Sequence, residues 1–169
     1  MARAPEPSDV FFNAYATACA WGSLLELKTR MLADNTPALK HLAHANKLED
    51  VEAAIITTFA AKLRQGDAEL LAKARLVRNK VIHGNFSRAK DALVELGFAV
   101  PDGGVRTVDA SGSVLEALLH GERVPVAQVP TFDSSIFGWL LEGGTSGLFA
   151  RAVEVFQKAA EIIERLAGS

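Results

Sequence analysis

Apolar side chains recur at helical spacing through most of this chain, and this periodicity restricts the fold more than any other feature. In the last long run they stand three or four positions apart, at Phe149, Val153, Phe156, Ala160, Ile163 and Leu166. Such spacing places them all on one side of an α-helix. Alanine and leucine are abundant and β-branched residues occur only in short runs, so we expect an all-α fold.

Capping and breaking residues divide the chain into successive predicted helices. The expected helices cover 10–33, 36–46, 48–64, 67–83, 87–95 and 145–167, with a further helical segment between 133 and 143. Ser8-Asp9 is expected to cap the first helix and Pro37 to start the second. Asp67 is expected to cap the fourth helix at its start, and Gly84 is expected to be its C-cap.

Residues 97–132 depart from the helical pattern. Alternation around Asp102-Gly103 is typical of a β-hairpin, and Pro125 and Pro130 indicate extended loop. We therefore expect a single domain over 1–169, built as a helical bundle with a flexible lead at 1–7. The 97–132 segment is predicted to be an irregular or hairpin insertion before the last helices, serving substrate choice or partner docking.

Composition excludes several classes of protein. The chain has 169 residues, of which 49% are hydrophobic, enough to form the core of one domain. No run approaches the roughly 20 apolar residues of a membrane span, and residues 1–7 lack the apolar run of a signal peptide. Cys19 is the single cysteine, which excludes an internal disulfide, so a cytoplasmic location is expected.

The charge distribution is uneven although the net charge is only −2. Residues 62–90 contain eight basic and two acidic side chains, which makes this segment +6 and the remainder −8. A basic strip on an acidic body attracts a polyanion locally. A charge run by itself is more typical of a solvated helix face, and this alternative stays open.

The predicted helix 67–83 has two uncharged stripes on nearly opposite sides. The stripe expected to face the core consists of Leu70, Ala74, Val77 and Val81, and the other consists of Ala72, Leu76, Asn79 and His83. A solvent-facing stripe more usually holds Lys, Glu or Gln. We therefore expect the second stripe to be covered, either by the insertion or by a second copy of the chain with Ala72, Leu76 and Asn79 at a dimer interface.

The end of this helix carries the pattern Arg78-Asn79-x-x-x-His83. In an all-α domain this pattern resembles the HEPN superfamily, whose signature is an Arg, commonly followed by Asn, and then a His. The resemblance is sharp over residues 75–86 and architectural elsewhere. It implies a homodimer with a composite cleft and often a metal-independent endoribonuclease that acts as a toxin or in phage defence. The catalytic residues it implies are Arg78, Asn79 and His83.

RNA cleavage without a metal or other cofactor needs a base, an acid and a cation beside the phosphate. Two copies of His83 could divide the acid and base roles near neutral pH, and Arg78 would hold the phosphate with a planar fork. Asn79 would orient the imidazole or the phosphate. The expected products carry 2′,3′-cyclic phosphate and 5′-hydroxyl ends, and DNA should resist. Further contacts to RNA phosphates are expected from Lys73, Arg75, Lys80 and Arg88.

Other interpretations remain open. The chain could be a non-catalytic HEPN module that binds RNA, a nucleotide or a protein such as an antitoxin, similar to mannitol-repressor-like relatives, or a helical interaction domain. Asn85 stands where one HEPN subgroup, controlled by nucleotide transfer, has a tyrosine. In the plainest alternative, Arg78 pairs with an acidic residue and His83 closes the helix.

Three further candidates are weaker. His41 and His44 could share a metal, but no other ligand stands at a suitable spacing beside them. Cys19 lies among alanines, as a buried thiol commonly does. The glycine-rich segment 143–147 lacks the spacing and the lysine of a phosphate loop.

Overall fold

The computed structural model describes residues 7–98 and 147–168. Five α-helices occur in these ranges: α1 (Pro7–Asp34), α2 (Leu48–Thr58), α3 (Asp67–Ile82), α4 (Phe86–Glu95) and α5 (Leu148–Ala167). Two 3₁₀ turns, Lys40–Leu42 and Ala60–Lys62, flank α2. No strand occurs within the described ranges, and the expected all-α fold is confirmed.

The segment 36–46, expected as a helix, forms only the single 3₁₀ turn. Its backbone hydrogen bonds span three residues, from the Leu42 N–H to the Leu39 carbonyl at 2.8 Å and from the Ala45 N–H to the Leu42 carbonyl at 2.9 Å. The Nη1 of Arg30 in α1 donates to the carbonyl oxygens of Ala43 at 3.1 Å and Ala45 at 2.8 Å, which holds the end of the segment against α1. Similarly, the helix expected over 48–64 ends at Thr58, after a β-branched run that favours helix only weakly.

The core lies where α1, α3 and α4 pack against α5. Along α5 the predicted seam is confirmed, because Phe149, Phe156, Ala160, Ile163 and Leu166 are buried and Val153 packs at the core edge. On α3 the buried apolar residues are Leu71, Ala74, Val77 and Val81. The prediction of Leu70 is corrected: Leu71 is fully buried and Leu70 lies at the edge, since α3 packs against both α4 and α5.

The start of α3 is tied to the end of α5. Gly66 is the residue before the helix, with φ of 85°, and Asp67 is the first helical residue rather than its cap. The Asp67 carboxylate accepts a hydrogen bond from the backbone N–H of Arg64 at 2.7 Å and pairs with Arg165. This pair joins two helix ends that are far apart in sequence.

The end of α3 is held by aromatic side chains. Gly84 follows the helix with φ of 68°, the left-handed conformation predicted for it. The Tyr15 hydroxyl donates to the Ile82 carbonyl at 2.8 Å. The Tyr15 ring lies 5.7 Å from both Phe86 and Phe149, which stand 5.3 Å apart. Together, these contacts fix the end of α3 against α1, α4 and α5.

Several expectations concern residues outside the described ranges. These are the lead up to residue 6, the insertion from 99 onward with its expected hairpin, and the segment 133–143. Of the expected lead only Pro7 is described, and α1 already begins there. Within 7–98 and 147–168, no helix is both long and apolar enough to cross a bilayer.

We predict that Tyr15→Phe lowers the free energy of unfolding by about 1 kcal/mol, because the Ile82 carbonyl loses its side-chain donor. Urea denaturation monitored by circular dichroism would measure the change. Thr17→Ala is the control, since it also removes a hydroxyl from α1 but an exposed one, and should alter stability by less than about 0.5 kcal/mol. Equal effects of the two variants would contradict the assigned role of Tyr15.

Candidate functional site

A polar cleft of about 320 Å³ opens where α1, the start of α2 and α3 meet. Its lining holds Glu26, Arg30, Asn46, Lys47, Leu48, Glu49, Arg75, Arg78 and Asn79. Four of these side chains are cationic and two are carboxylates, so the lining has a formal charge of +2. The cleft therefore contains two of the three motif residues in a mildly positive setting.

The Arg78 guanidinium is held in this cleft from two sides. Its Nη1 donates to the Asn79 side-chain oxygen at 2.9 Å, and its Nη2 pairs with Glu26 of α1. The side chain is 19% exposed, and its buried Nε makes no hydrogen bond in the described part of the chain. The pairing of Arg78 with an acidic residue, foreseen as the plain alternative, is thus present.

Gly22 makes room for the stem of Arg78. A Cβ at this position would lie 3.0 Å from Arg78 Cγ and 3.4 Å from Phe156 Cε2. One turn along α1, Glu26 receives the guanidinium. Sequence reasoning missed both residues. The available signal was a glycine inside a long helix, where it costs about 1 kcal/mol relative to alanine and so needs a packing reason.

Arg75, predicted to bind phosphate, is engaged by α2. Its Nε donates to Glu52 Oε1 at 3.2 Å, and its Nη2 lies 3.8 Å from Glu49 Oε1. Glu52 is 7% exposed. Burial raises the pKa of its carboxyl, the attraction of Arg75 opposes that rise, and repulsion from Glu49 adds to it. The positive charge of Arg75 therefore compensates the buried carboxylate of Glu52. Arg75 is also one of the residues that line the cleft.

The other predicted phosphate contacts lie outside the cleft lining. Lys73 pairs with Glu95 of α4. Lys80 is half-buried on α3, and Arg88 is exposed on α4. The basic strip seen in the sequence is therefore spread over different faces, and at Lys73, Arg75 and Arg78 its charges are paired with carboxylates.

His83 stands apart from the Arg78–Asn79 pair. It is the residue that ends α3, its backbone N–H donates to the Asn79 carbonyl at 3.2 Å, and its side chain is exposed. It does not line the cleft. Of the expected dimer stripe, Ala72, Leu76 and Asn79 are half-buried, and Leu76 packs against the core edge.

No family model, curated protein or solved structure matches this chain. Within residues 7–98 and 147–168, no three His, Cys, Asp or Glu side chains cluster as metal ligands. His41 and His44 are both exposed. Cys19 is half-buried, and burial raises the pKa of its thiol against the opposing effects of Tyr15 and Arg78.

We predict that Gly22→Ala and Arg78→Ala are energetically coupled. In the wild-type background, the 3.0 Å approach to Arg78 Cγ should offset the roughly 1 kcal/mol that alanine gains in a helix. In the Arg78→Ala background, which removes Cγ, Gly22→Ala should raise the free energy of unfolding by roughly that amount. A double-mutant cycle by urea denaturation should give a coupling of at least about 0.5 kcal/mol. An identical effect of Gly22→Ala in both backgrounds would contradict the packing.

A second prediction concerns Glu52. Its pKa is raised from 4.5, so the folded state binds this proton more tightly than the unfolded state. The stability that this tighter binding confers is fully present below the pKa of Glu52 in the unfolded state. It is lost as pH rises through the pKa of Glu52 in the folded state. The unfolding free energy of wild type relative to Glu52→Gln should therefore fall as pH rises from about 4.5, then level off. A relative stability that rises over this range would mean that Arg75 outweighs burial.

Proposed function

We propose that this chain is a metal-independent endoribonuclease that acts as a homodimer, in the manner of HEPN toxins or phage-defence effectors. The observation that carries the proposal is the Arg78–Asn79 pair inside a cleft whose lining is net positive. Because Arg78 is oriented by Asn79, by Glu26 and by the space over Gly22, little side-chain freedom would be lost when a phosphate binds.

Arg78 would contact the scissile phosphate while keeping its bond to Glu26. A guanidinium has five N–H donors. The bonds from Nη1 to Asn79 and from Nη2 to Glu26 use only part of them. Arg30 is more fully occupied, by Glu26, Ala43 and Ala45. Lys47, which sequence reasoning did not select, is exposed in the cleft lining and is a further candidate for a phosphate contact.

His83 would supply the proton transfers from a neighbouring subunit. It is exposed and lies one turn beyond Asn79 at the end of α3, outside the cleft of its own chain. In a dimer with its axis beside α3, the stripe of Ala72, Leu76 and Asn79 would be covered and two His83 side chains would approach each other. One acting as base and one as acid would give cyclic phosphate and 5′-hydroxyl products.

A second candidate function is a non-catalytic module that binds RNA, a nucleotide or a protein partner such as an antitoxin. The ion pairs of Arg78 with Glu26 and of Arg75 with Glu52 favour it, because they already neutralise two of the cations that a nuclease would use. Such a module would need Arg78 for binding and would not need His83.

The test is incubation of purified protein with single-stranded RNA in EDTA. We expect cleavage by the wild type, and losses of about 10²–10⁴-fold in His83→Ala, the range typical of an acid–base residue. Arg78→Lys should lose most activity, since an ammonium does not reproduce the fork. Lys73→Ala is the matched control, because this cation on the same helix pairs with Glu95 away from the cleft.

The outcomes separate the two candidates. The same oligonucleotide with 2′-deoxyribose at every position should not be cleaved. Cleavage that survives both His83→Ala and Arg78→Lys would refute the site. No cleavage by a folded wild type, together with RNA binding that Arg78→Lys weakens and His83→Ala leaves unchanged, would establish the second function. Circular dichroism checks each variant, since Arg78 is partly structural.

A further inference from the structure

A mostly apolar pocket of about 450 Å³ opens where the C-terminal ends of α1 and α5 meet the residue that follows α2. Seven of its eleven lining residues are apolar, and these include Met31, Leu32, Phe59, Ile163 and Leu166. We call this hollow the end pocket. None of its lining residues lines the cleft that contains the Arg78–Asn79 pair, so the two are separate sites.

The floor of the end pocket belongs to the core. Leu32, Ile163 and Leu166 are buried, Phe59 is half-buried, and Met31 at the rim is 53% exposed. Apolar surface therefore stays open at the edge of the core. Sites for small molecules are concave and mostly apolar, with volumes of about 300–1,000 Å³. The end pocket has the size and the lining of such a site.

Hydrogen bonds fix the walls of the end pocket in place. The Thr36 hydroxyl donates to the Leu32 carbonyl at 2.7 Å, and the Thr36 backbone N–H donates to the Ala33 carbonyl at 3.1 Å. On the other wall, the Phe59 backbone N–H donates to the Ile55 carbonyl at 2.9 Å. The pocket is thus formed without a ligand, so little conformational freedom would be lost when one binds.

The charges at the end pocket cancel. Lys28 of α1 and Glu164 of α5 both line it, and they pair with each other. An anion would be attracted by Lys28 and repelled by Glu164, and a cation would meet the reverse. A charged head group would therefore lose hydration beside the apolar wall without gaining an unopposed counter-ion. This arrangement favours a ligand without net charge.

Asn35 gives the end pocket a neutral hydrogen-bonding group. It lines the pocket and is exposed, and its side-chain amide can both donate and accept. We propose that the end pocket binds an uncharged small molecule with an apolar body and one hydroxyl or carbonyl group, which hydrogen-bonds with Asn35. This proposal does not rest on the proposed ribonuclease function.

Fluorescence titration with N-phenyl-1-naphthylamine tests the pocket, because this uncharged aromatic dye brightens in apolar surroundings. We expect saturable binding by the wild type. Met31→Gln should weaken it about fivefold or more, since an amide replaces apolar contact. Leu27→Gln is the matched control: Leu27 is 54% exposed one turn earlier on α1 but does not line the pocket, and its effect should stay below about twofold. Absence of saturable binding, or equal losses in the two variants, would overturn the proposal.

Competition against the dye tests the charge and the head group of the ligand. Octanol, octanoate and octylamine share one chain length and differ in charge at neutral pH. Octanol should displace the dye at a concentration at least about fivefold lower than the other two; tighter binding of either ion would overturn the assignment. Asn35→Ala should weaken octanol about two- to tenfold, the worth of one hydrogen bond, and the dye much less. An equal loss for both would refute the role of Asn35.

Light scattering separates a small-molecule site from an interface between copies. Neither saturation with octanol nor Met31→Gln should change the mass found for the wild type. A lower mass in either case would mean that a second copy of the chain occupies the pocket, and it would overturn the proposal. Met31→Gln should also leave RNA cleavage in EDTA unchanged, so failure of the end pocket and failure of the ribonuclease assignment are read from different experiments.

Discussion

Burial of α5 is the constraint on which the rest of the fold depends. Its buried residues are Leu148, Phe149, Ala152, Val155, Phe156, Ala159, Ala160, Ile162, Ile163 and Leu166. They extend well beyond one narrow stripe and contact α1, α3 and α4. Because burying apolar surface is the main favourable term in folding, α1, α3 and α4 are arranged around α5, and the candidate site lies where α1 and α3 meet the start of α2.

Two polar contacts fix the position of α3 among these helices. Asp67 pairs with Arg165 at the start of the helix, and the Ile82 carbonyl accepts from Tyr15 at its end. Because both ends of α3 are held, the aliphatic part of Arg78 packs against Gly22, where a larger residue would clash with it. The candidate site is thus a consequence of how α3 is anchored, and the Glu26 carboxylate then orients the guanidinium.

Much of the fold was predictable because it depends on local patterns. The seam of α5, the end of α3 at Gly84 and the buried Ala74, Val77 and Val81 follow from periodicity and from glycine's tolerance of positive φ. The errors had both local and non-local sources. The helix expected over 48–64 ends at Thr58 after a β-branched run, whereas the contact of Arg30 with the carbonyls of Ala43 and Ala45 joins two elements and has no local signal.

The sequence by itself determined the five α-helices found within 7–98 and 147–168, most of the core stripes on α3 and α5, and the Arg78-Asn79-x-x-x-His83 pattern. Only the tertiary structure decided which charges meet, because the pairs of Arg78 with Glu26 and of Arg165 with Asp67 join residues 52 and 98 positions apart. It likewise decided that α1 has a side facing away from the core. Periodicity shows that a helix has a stripe, whereas packing decides whether another helix of the same chain covers it.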